Sequence, residues 1–346
     1  MNTQQVELIS GTLATGLVEL AQKAGAPRSV VKPLTDALEA SGPIPPTDVS
    51  LPAEAEWEFW ERAAREDSLK DLSASVDQIK EGTWGDIELA VSSAPDVRRA
   101  LETLASTSDL LHGAELFHLV PKDDGSAALI YESPHTRARE PGALAAEVAL
   151  AMAVELIRRL VADKHAAPAS AWLAGRAHAR LSTFTAGMRC PVHVGAVHDR
   201  IDLPAELLAL PVITADARIH ALALRVIDFQ RRSRAQQQTS YGVRRALVDV
   251  LLAGEPVVDG LAAKLGLRPR ALKARLAREE TNLRELVDVS RRRAAEHLLL
   301  SGATPTATQE RLGYSDLASF RRACRRWWGV GPQARRVLLR AAAPSR

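Results

Sequence analysis

Arg268, Arg270, Lys273 and Arg275 fall within eight residues, and Arg321, Arg322, Arg325 and Arg326 within six. Cations at this density bind anions, and a guanidinium can grip a phosphate, or the O6/N7 edge of guanine, through two parallel hydrogen bonds. Neither run is a polar tail. Leu272 and Leu276 punctuate the first, while Leu317, Phe320, Cys324 and Trp327 recur at i, i+3, i+7 and i+10 along the second. That is helical spacing, so each cluster is expected on the free side of a helix whose other side is buried. The last three members of the stripe are expected to be buried, with Leu317 in an exposed first turn.

The clusters belong to a wider asymmetry. From Arg231 to Arg346 there are 24 Lys+Arg against 10 Asp+Glu, a net of +14. Residues 1–230 hold 21 basic and 32 acidic residues, a net of −11, so the chain's overall +3 conceals the split. A coding bias toward arginine would spread it evenly and would not reverse the sign of charge near residue 230. A folded, basic, helical end on an acidic body points to a nucleic-acid reader joined to a second function.

At 346 residues the chain is too long for one ordinary core. Its 46% hydrophobic and 25% charged content is that of a globular protein, and with 4% aromatics the cores must rely on Leu, Val, Ile and Ala. Cys190 and Cys324 lie far apart and are expected as free thiols in a reducing compartment. The start, MNTQQVELIS, lacks signal-peptide character, and the longest apolar stretch, Ala143 to Val161, is interrupted by Glu147, Glu155, Arg158 and Arg159. A cytoplasmic protein with no membrane partner is expected.

The positioning elements follow from periodicity and breakers. Val6 to Ala24 and Ser29 to Ala40 read as helices, and the Trp57, Phe59, Trp60 cluster opens another as core. Thr83 to Asp86 precedes a helical pattern, and Ser93 to Asp96 starts the next helix. Glu115 to Val120 and Ala127 to Glu132 flank an Asp-Gly turn and read as a hairpin. Leu144 to Asp163 is an amphipathic helix, and Ala169 to Ala174 and Pro191 to Val194 are short strands. The expected fold is an α+β N-terminal regulatory domain over 1–228, a linker or exposed connecting helix at 229–241, and an all-α C-terminal domain over 242–340.

In that last domain, helices are expected at Val243–Leu252, after which Gly254-Glu255-Pro256 is a stop, and at Val257–Leu265. Gly266-Leu267 supplies the tight turn of a helix-turn-helix, and Pro269 costs little in a helix's first turn. A helix fixed by Leu272 and Leu276 and edged with cations suits a major groove. The pattern recurs. A long helix spans Leu283 to Leu300, with Ser301-Gly302 ending it, and a short one spans Pro305 to Leu312. Asp316 then caps a helix reaching Trp328, closed by Gly329 and Pro332. Arg291, Arg292 and Arg293, in mid-helix, read as a solvated face or as internal pairs.

GLRPRALKARLAREETNLRELV, RRRAAEHLL and LGYSDLASFRRACRRWWGVGP resemble the DNA-binding module of the AraC/XylS family of bacterial transcription regulators. Its most specific part is Leu312-Gly313-Tyr314-Ser315-Asp316 with Phe320, Arg322, Ala323, Arg326, Trp327, Gly329 and Pro332. Upstream, GTWGDIELAVSSAPDVRRAL, Cys190-Pro191-Val192 and the Leu203 to Val212 segment resemble the arabinose-binding-type regulatory domain of one branch of the family. The resemblance implies two recognition helices in successive major grooves, about one helical turn (~34 Å) apart. By position the base contacts are Arg270, Lys273, Leu317, Arg321 and Arg322, with Arg322 also open to an internal ion pair. Arg268, Arg275, Arg325 and Arg326 are the phosphate contacts. The implied partners are double-stranded promoter DNA, RNA polymerase, a small-molecule effector and a second copy in a homodimer.

Some positions depart from the family pattern. Ala307, Thr308 and Gln309 replace a Glu-Ile-Ala-like triplet, which predicts weaker packing of that short helix. Ala274, Glu280 and Cys324 stand where Arg, Gly and Phe are usual. Thr308, Gln309 and Ala274 motivate an alternative, an interaction protein with weakened DNA specificity acting through RNA polymerase or another protein. His193 and His198 are not spaced as metal ligands, and neither a nucleophile elbow nor a phosphate-binding glycine loop is present. The chain is expected to be no enzyme and to carry no cofactor or metal.

Overall fold

Ser10 sets the start of the first helix. Its hydroxyl accepts the Leu13 amide at 3.0 Å, so the helix expected from Val6 is preceded by a short strand, β1 (Leu8–Ser10), and begins at α1 (Gly11–Lys23). The computed structural model describes residues 8–42, 49–69, 71–112, 116–132, 140–174, 181–253, 257–279, 281–300 and 302–341. Val6, Glu115, residues 254–256, Glu280 and Ser301, all used above, lie outside the described residues.

Next come α2 (Arg28–Ala40), β2 (Ser50–Pro52), α3 (Ala53–Arg65), α4 (Gly85–Ser92) and α5 (Val97–Thr107). They lead to β3 (Leu116–Pro121), β4 (Ala127–Glu132), α6 (Glu140–Leu160), β5 (Ser170–Leu173), α7 (Leu181–Met188), β6 (Val192–Val194) and β7 (Asp199–Leu203). A single turn, α8 (Ala205–Leu208), precedes α9 (Ala217–Gln237). The described residues divide into two compact units, one ending at Asp228 and the other beginning at Phe229. Among them no helix is long and apolar enough to cross a membrane.

In the first unit β1 pairs with β2, and the main sheet runs β3-β4-β7-β5-β6, antiparallel except between β5 and β6. Phe59 and Trp60 are buried as expected, whereas Trp57 is half-buried. The long α6 packs against α3, β4, β5 and β7, burying Leu144, Val148, Val154 and Ile157.

Sequence reading missed β7, the middle strand. Asp199, Arg200 and Asp202 hide its character, yet all five of its residues are buried. Asp202 accepts from Trp172 Nε1 at 2.8 Å and from Ser170 Oγ at 3.1 Å, and it pairs with Lys122 at 2.8 Å and Arg200 at 3.6 Å. The Arg200 guanidinium also lies 4.7 Å from the Trp172 ring centre. Buried charge is tolerated here because Asp202 is paired from several sides, by Arg200 of its own strand, by Ser170 and Trp172 of β5 and by Lys122 just after β3.

Cys190 and Cys324 are free thiols. Cys190 is half-exposed, on the turn between α7 and β6 just after Arg189, whose φ is 57°. Burial pushes its pKa up to about 11 and that of Cys324 to about 12. At pH 8 the thiolate fraction of Cys190 is then roughly one in a thousand. Iodoacetamide at pH 8 is expected to leave both thiols largely unmodified in the native protein and to label both after denaturation. Intact-mass measurement checks this, and rapid native labelling of Cys190 contradicts it.

The second unit is helical: α10 (Thr239–Ala253), α11 (Val257–Lys264), α12 (Pro269–Arg278), α13 (Leu283–Leu300), α14 (Pro305–Arg311), α15 (Leu317–Trp328) and α16 (Pro332–Ala341). Most of 229–241 is helical, since α9 reaches Gln237 and α10 starts at Thr239. Pro332, read above as a stop, occupies the first position of α16, where its missing amide is no loss. Two separate apolar cores form. One contains Val243, Leu247, Leu261, Leu272, Leu276 and Leu286; the other contains Ala295, Leu312, Phe320 and Cys324. Helix α13 contributes to both.

Candidate nucleic-acid interface

Gly266, with φ +63°, turns the chain between α11 and α12 in a left-handed conformation that a side chain would strain. Pro269 then opens α12. Leu272 and Leu276, both at or below 1% exposure, seat α12 in the first core. This leaves Arg268, Arg270, Lys273 and Arg275 exposed. Among the described residues no side-chain hydrogen bond or ion pair engages any of these four.

The second helix-turn-helix is built the same way. Thr304 caps α14 by accepting the Ala307 amide at 3.2 Å. Thr308, expected to weaken the packing of this helix, is instead fully buried, and its hydroxyl donates to the Thr304 carbonyl at 2.9 Å. The neighbouring Gln309 amide donates to the Tyr314 carbonyl. Gly313, at φ +67°, makes the turn, and Asp316 caps α15 by accepting the Ser319 amide at 2.6 Å.

Phe320 and Cys324 are buried as the stripe predicts. Trp327 is only half-buried, because its indole N–H reaches Asp288 of α13 at 2.9 Å, keeping one edge at the surface. Leu317 is half-buried against the second core rather than fully exposed.

Four arginines of α15 divide by commitment. Arg321 and Arg325 are exposed and, among the described residues, have no side-chain partner. With Leu317 they line an open groove of about 400 Å³ whose far wall is Gly331, Pro332 and Gln333 at the start of α16. First-turn amides of a helix and its positive dipole end favour an anion there. By contrast, Arg322 donates to Ser319 Oγ at 2.8 Å, and Arg326 is ion-paired with Asp288. Of the other cations, Arg291 lies over the Tyr314 ring at 4.9 Å, and the side chain of Arg293 lies outside the described residues.

Several positioning residues escaped the sequence reading. Glu279, at the end of α12, accepts the Thr239 and Ser240 amides at 2.6 and 2.8 Å and so caps α10. Asp288 holds Arg326 and Trp327, and Glu296 pairs with buried Arg335. One signal was available: acids are scarce in this basic region, and three of them serve internal partners.

Hydrogen bonds from the Ser319 amide and hydroxyl hold the Asp316 carboxyl below the usual carboxylate range. Its contribution to stability is therefore complete above the unfolded aspartate value near ~3.9 and is lost as pH falls through the lower folded value. Asp316→Asn retains an acceptor but does not titrate. The melting-temperature advantage of the parent chain over this variant is expected to shrink from pH 5 to pH 2, as thermal scans would show. A constant difference would refute that role.

Residues 38–212 match the arabinose-binding domain of AraC transcription regulator, N-term, and residues 261–336 match a helix-turn-helix domain. The chain belongs to the AraC family of transcription regulators. It is 32% identical over 148 residues to an uncharacterized HTH-type transcriptional regulator of Mycobacterium tuberculosis, covering 41% of this chain and 42% of that protein. HTH-type transcriptional regulator VirS of the same species is 28% identical over 197 residues, 55% of this chain and 56% of its own. The crystal structure of transcriptional regulator CdpR from Pseudomonas aeruginosa covers 88% of this chain and 97% of its own, at 24% identity and a TM-score of 0.42. The chain spans about two fifths of the length of the first curated relatives it matches.

Proposed function

We propose that this protein is a sequence-specific DNA-binding transcription regulator that reads promoter duplex with α12 and α15. The supporting observation is the set of uncommitted cations on two helices whose opposite faces are buried in separate cores. Arg270, Lys273 and Arg321, with Leu317 against a thymine methyl, serve as base readers; Arg268, Arg275 and Arg325 serve as phosphate anchors. Arg322 reads bases only by exchanging Ser319 for DNA, and Arg326 reaches a phosphate while keeping Asp288. In this reading, residues 1–228 sense an effector, 229–241 connect, and 242–340 bind DNA and act on RNA polymerase.

A second copy is the natural partner of α9. Ile219, Leu222 and Val226 are exposed by 42%, 60% and 36% at i, i+3 and i+7, the spacing of a coiled-coil seam. Sedimentation of Leu222→Glu against the parent chain tests it: a dimer that becomes a monomer supports the seam, and unchanged mass rejects it.

Footprinting on the DNA flanking the protein's own gene tests the central reading. One saturable protected site, with affinity falling steeply as salt rises, is expected. No preference over random DNA, together with salt-insensitive capture of RNA polymerase, would favour the interaction protein instead.

A further inference from the structure

The first unit contains a cavity of about 100 Å³ between α1, α3, α4 and α6. Leu13, Leu17, Trp60, Trp84, Val148 and Met152 form most of its wall. Its polar groups are few, and protein partners already occupy them. Glu56 accepts from Trp60 Nε1 at 3.0 Å and pairs with His112 Nε2 at 2.8 Å, both side chains being 4% exposed. Glu88 accepts the Gly82 and Trp84 amides at 2.9 and 3.1 Å. Ser108 donates to the Ala105 carbonyl and accepts the Phe117 amide, each at 3.2 Å.

A sugar entering this space would bury several hydroxyls against apolar carbon, and an unpaired buried hydroxyl opposes binding. Apolar cavities of the order of 150 Å³ take up a single aromatic ring, roughly six carbon atoms. We infer that this cavity is a ligand site for a small apolar molecule, a single ring or short chain with at most one hydrogen-bonding group. That group would meet the Glu56–His112 pair, and the rest would lie against the two tryptophans. The inference deepens the effector-sensing reading of this unit and rests on it.

Trp84 is the adjustable wall. It is half-buried, and its ring lies against Gly16 of α1, where an added Cβ would fall 2.7 Å from Trp84 Cη2 and 2.9 Å from Thr83 Cγ2. Contacts below 3.0 Å force something to move, so glycine at position 16 is what lets this ring take its place in the wall.

The full chain is titrated with phenol, 1-hexanol and L-arabinose, reading tryptophan fluorescence and melting temperature. Phenol or 1-hexanol should give a saturable fluorescence change and a raised melting temperature, and arabinose neither. Val148→Phe, or the smaller change Ala153→Leu should the first not fold, should weaken that binding at least tenfold. Gly16→Ala should alter both the tryptophan spectrum and the affinity. The inference is overturned by a response to arabinose alone, by no saturable response at all, or by affinity unchanged in whichever cavity-filling variants fold. Footprinting without ligand runs alongside: an unresponsive cavity with intact site protection rejects only this inference, whereas lost DNA preference rejects the regulator reading itself.

Discussion

Arg270→Ala combined with Arg321→Ala is expected to weaken binding to the target duplex by roughly 30-fold to 10⁴-fold, about 2–6 kcal/mol. Each arginine that bridges a guanine contributes about 1–3 kcal/mol of discrimination, and contacts on separate helices add to first order. Both side chains are exposed and, among the described residues, uncommitted, so removing them leaves no buried partner behind. The loss should therefore appear in binding and not in folding. Fluorescence anisotropy against target and scrambled duplexes would show the two affinities converging. Arg268→Ala with Arg275→Ala should behave differently, weakening binding to both duplexes and flattening the salt dependence by about two phosphate contacts. Equal target preference in parent and Arg270→Ala/Arg321→Ala chains would remove these residues from base reading.

Phe320→Ala should cost about 3–5 kcal/mol, the range for deleting a buried aromatic ring and leaving a cavity. Phe320 is fully buried and is the largest of the buried side chains Ala295, Leu312, Phe320 and Cys324 that form this core among the described residues. Tyr314, whose ring centre lies 5.4 Å away, would lose one of its packing partners. Among the described residues the first core shares no buried residue with this one, so α10 to α12 should stay folded. Urea unfolding followed by thiol labelling of Cys324, located by peptide mass, would then separate from unfolding followed by far-UV circular dichroism. On DNA the footprint should contract to one half-site. A single coincident transition at the parent midpoint would contradict the separate-core picture.

The chain's basic half was largely legible because helical periodicity and turn glycines coincide there. Leu272 and Leu276 faced the core as their spacing required, and Gly266 and Gly313 made the turns. What stayed hidden depended on partners distant in sequence. Nothing local tells Arg326, paired with Asp288, from Arg325, which lines the open groove. Charge pattern alone groups them, and only packing separates them. In the N-terminal half β7 was lost for a related reason. Asp199, Arg200 and Asp202 interrupt the apolar pattern of a buried strand, and the Lys122, Ser170 and Trp172 side chains that pair with Asp202 lie far upstream in the sequence. The cavity was equally illegible, since its walls come from helices far apart along the chain.

Helix α13 places Leu286 in the first core and Ala295 in the second, nine positions later. An unbroken helix rises about 1.5 Å per residue and turns about 100°, so this separation is a fixed ~13.5 Å with a fixed rotation. On the proposed reading, the two recognition helices are thus mounted on one incompressible ruler. DNA offers no matching slack, because each added base pair advances a half-site by about 3.4 Å and swings it about 34° around the duplex axis. A bound promoter therefore cannot trade spacer length for sequence quality. Sites in a genome should share one invariant gap, and a one-residue insertion in α13 should put the protein out of phase with all of them together.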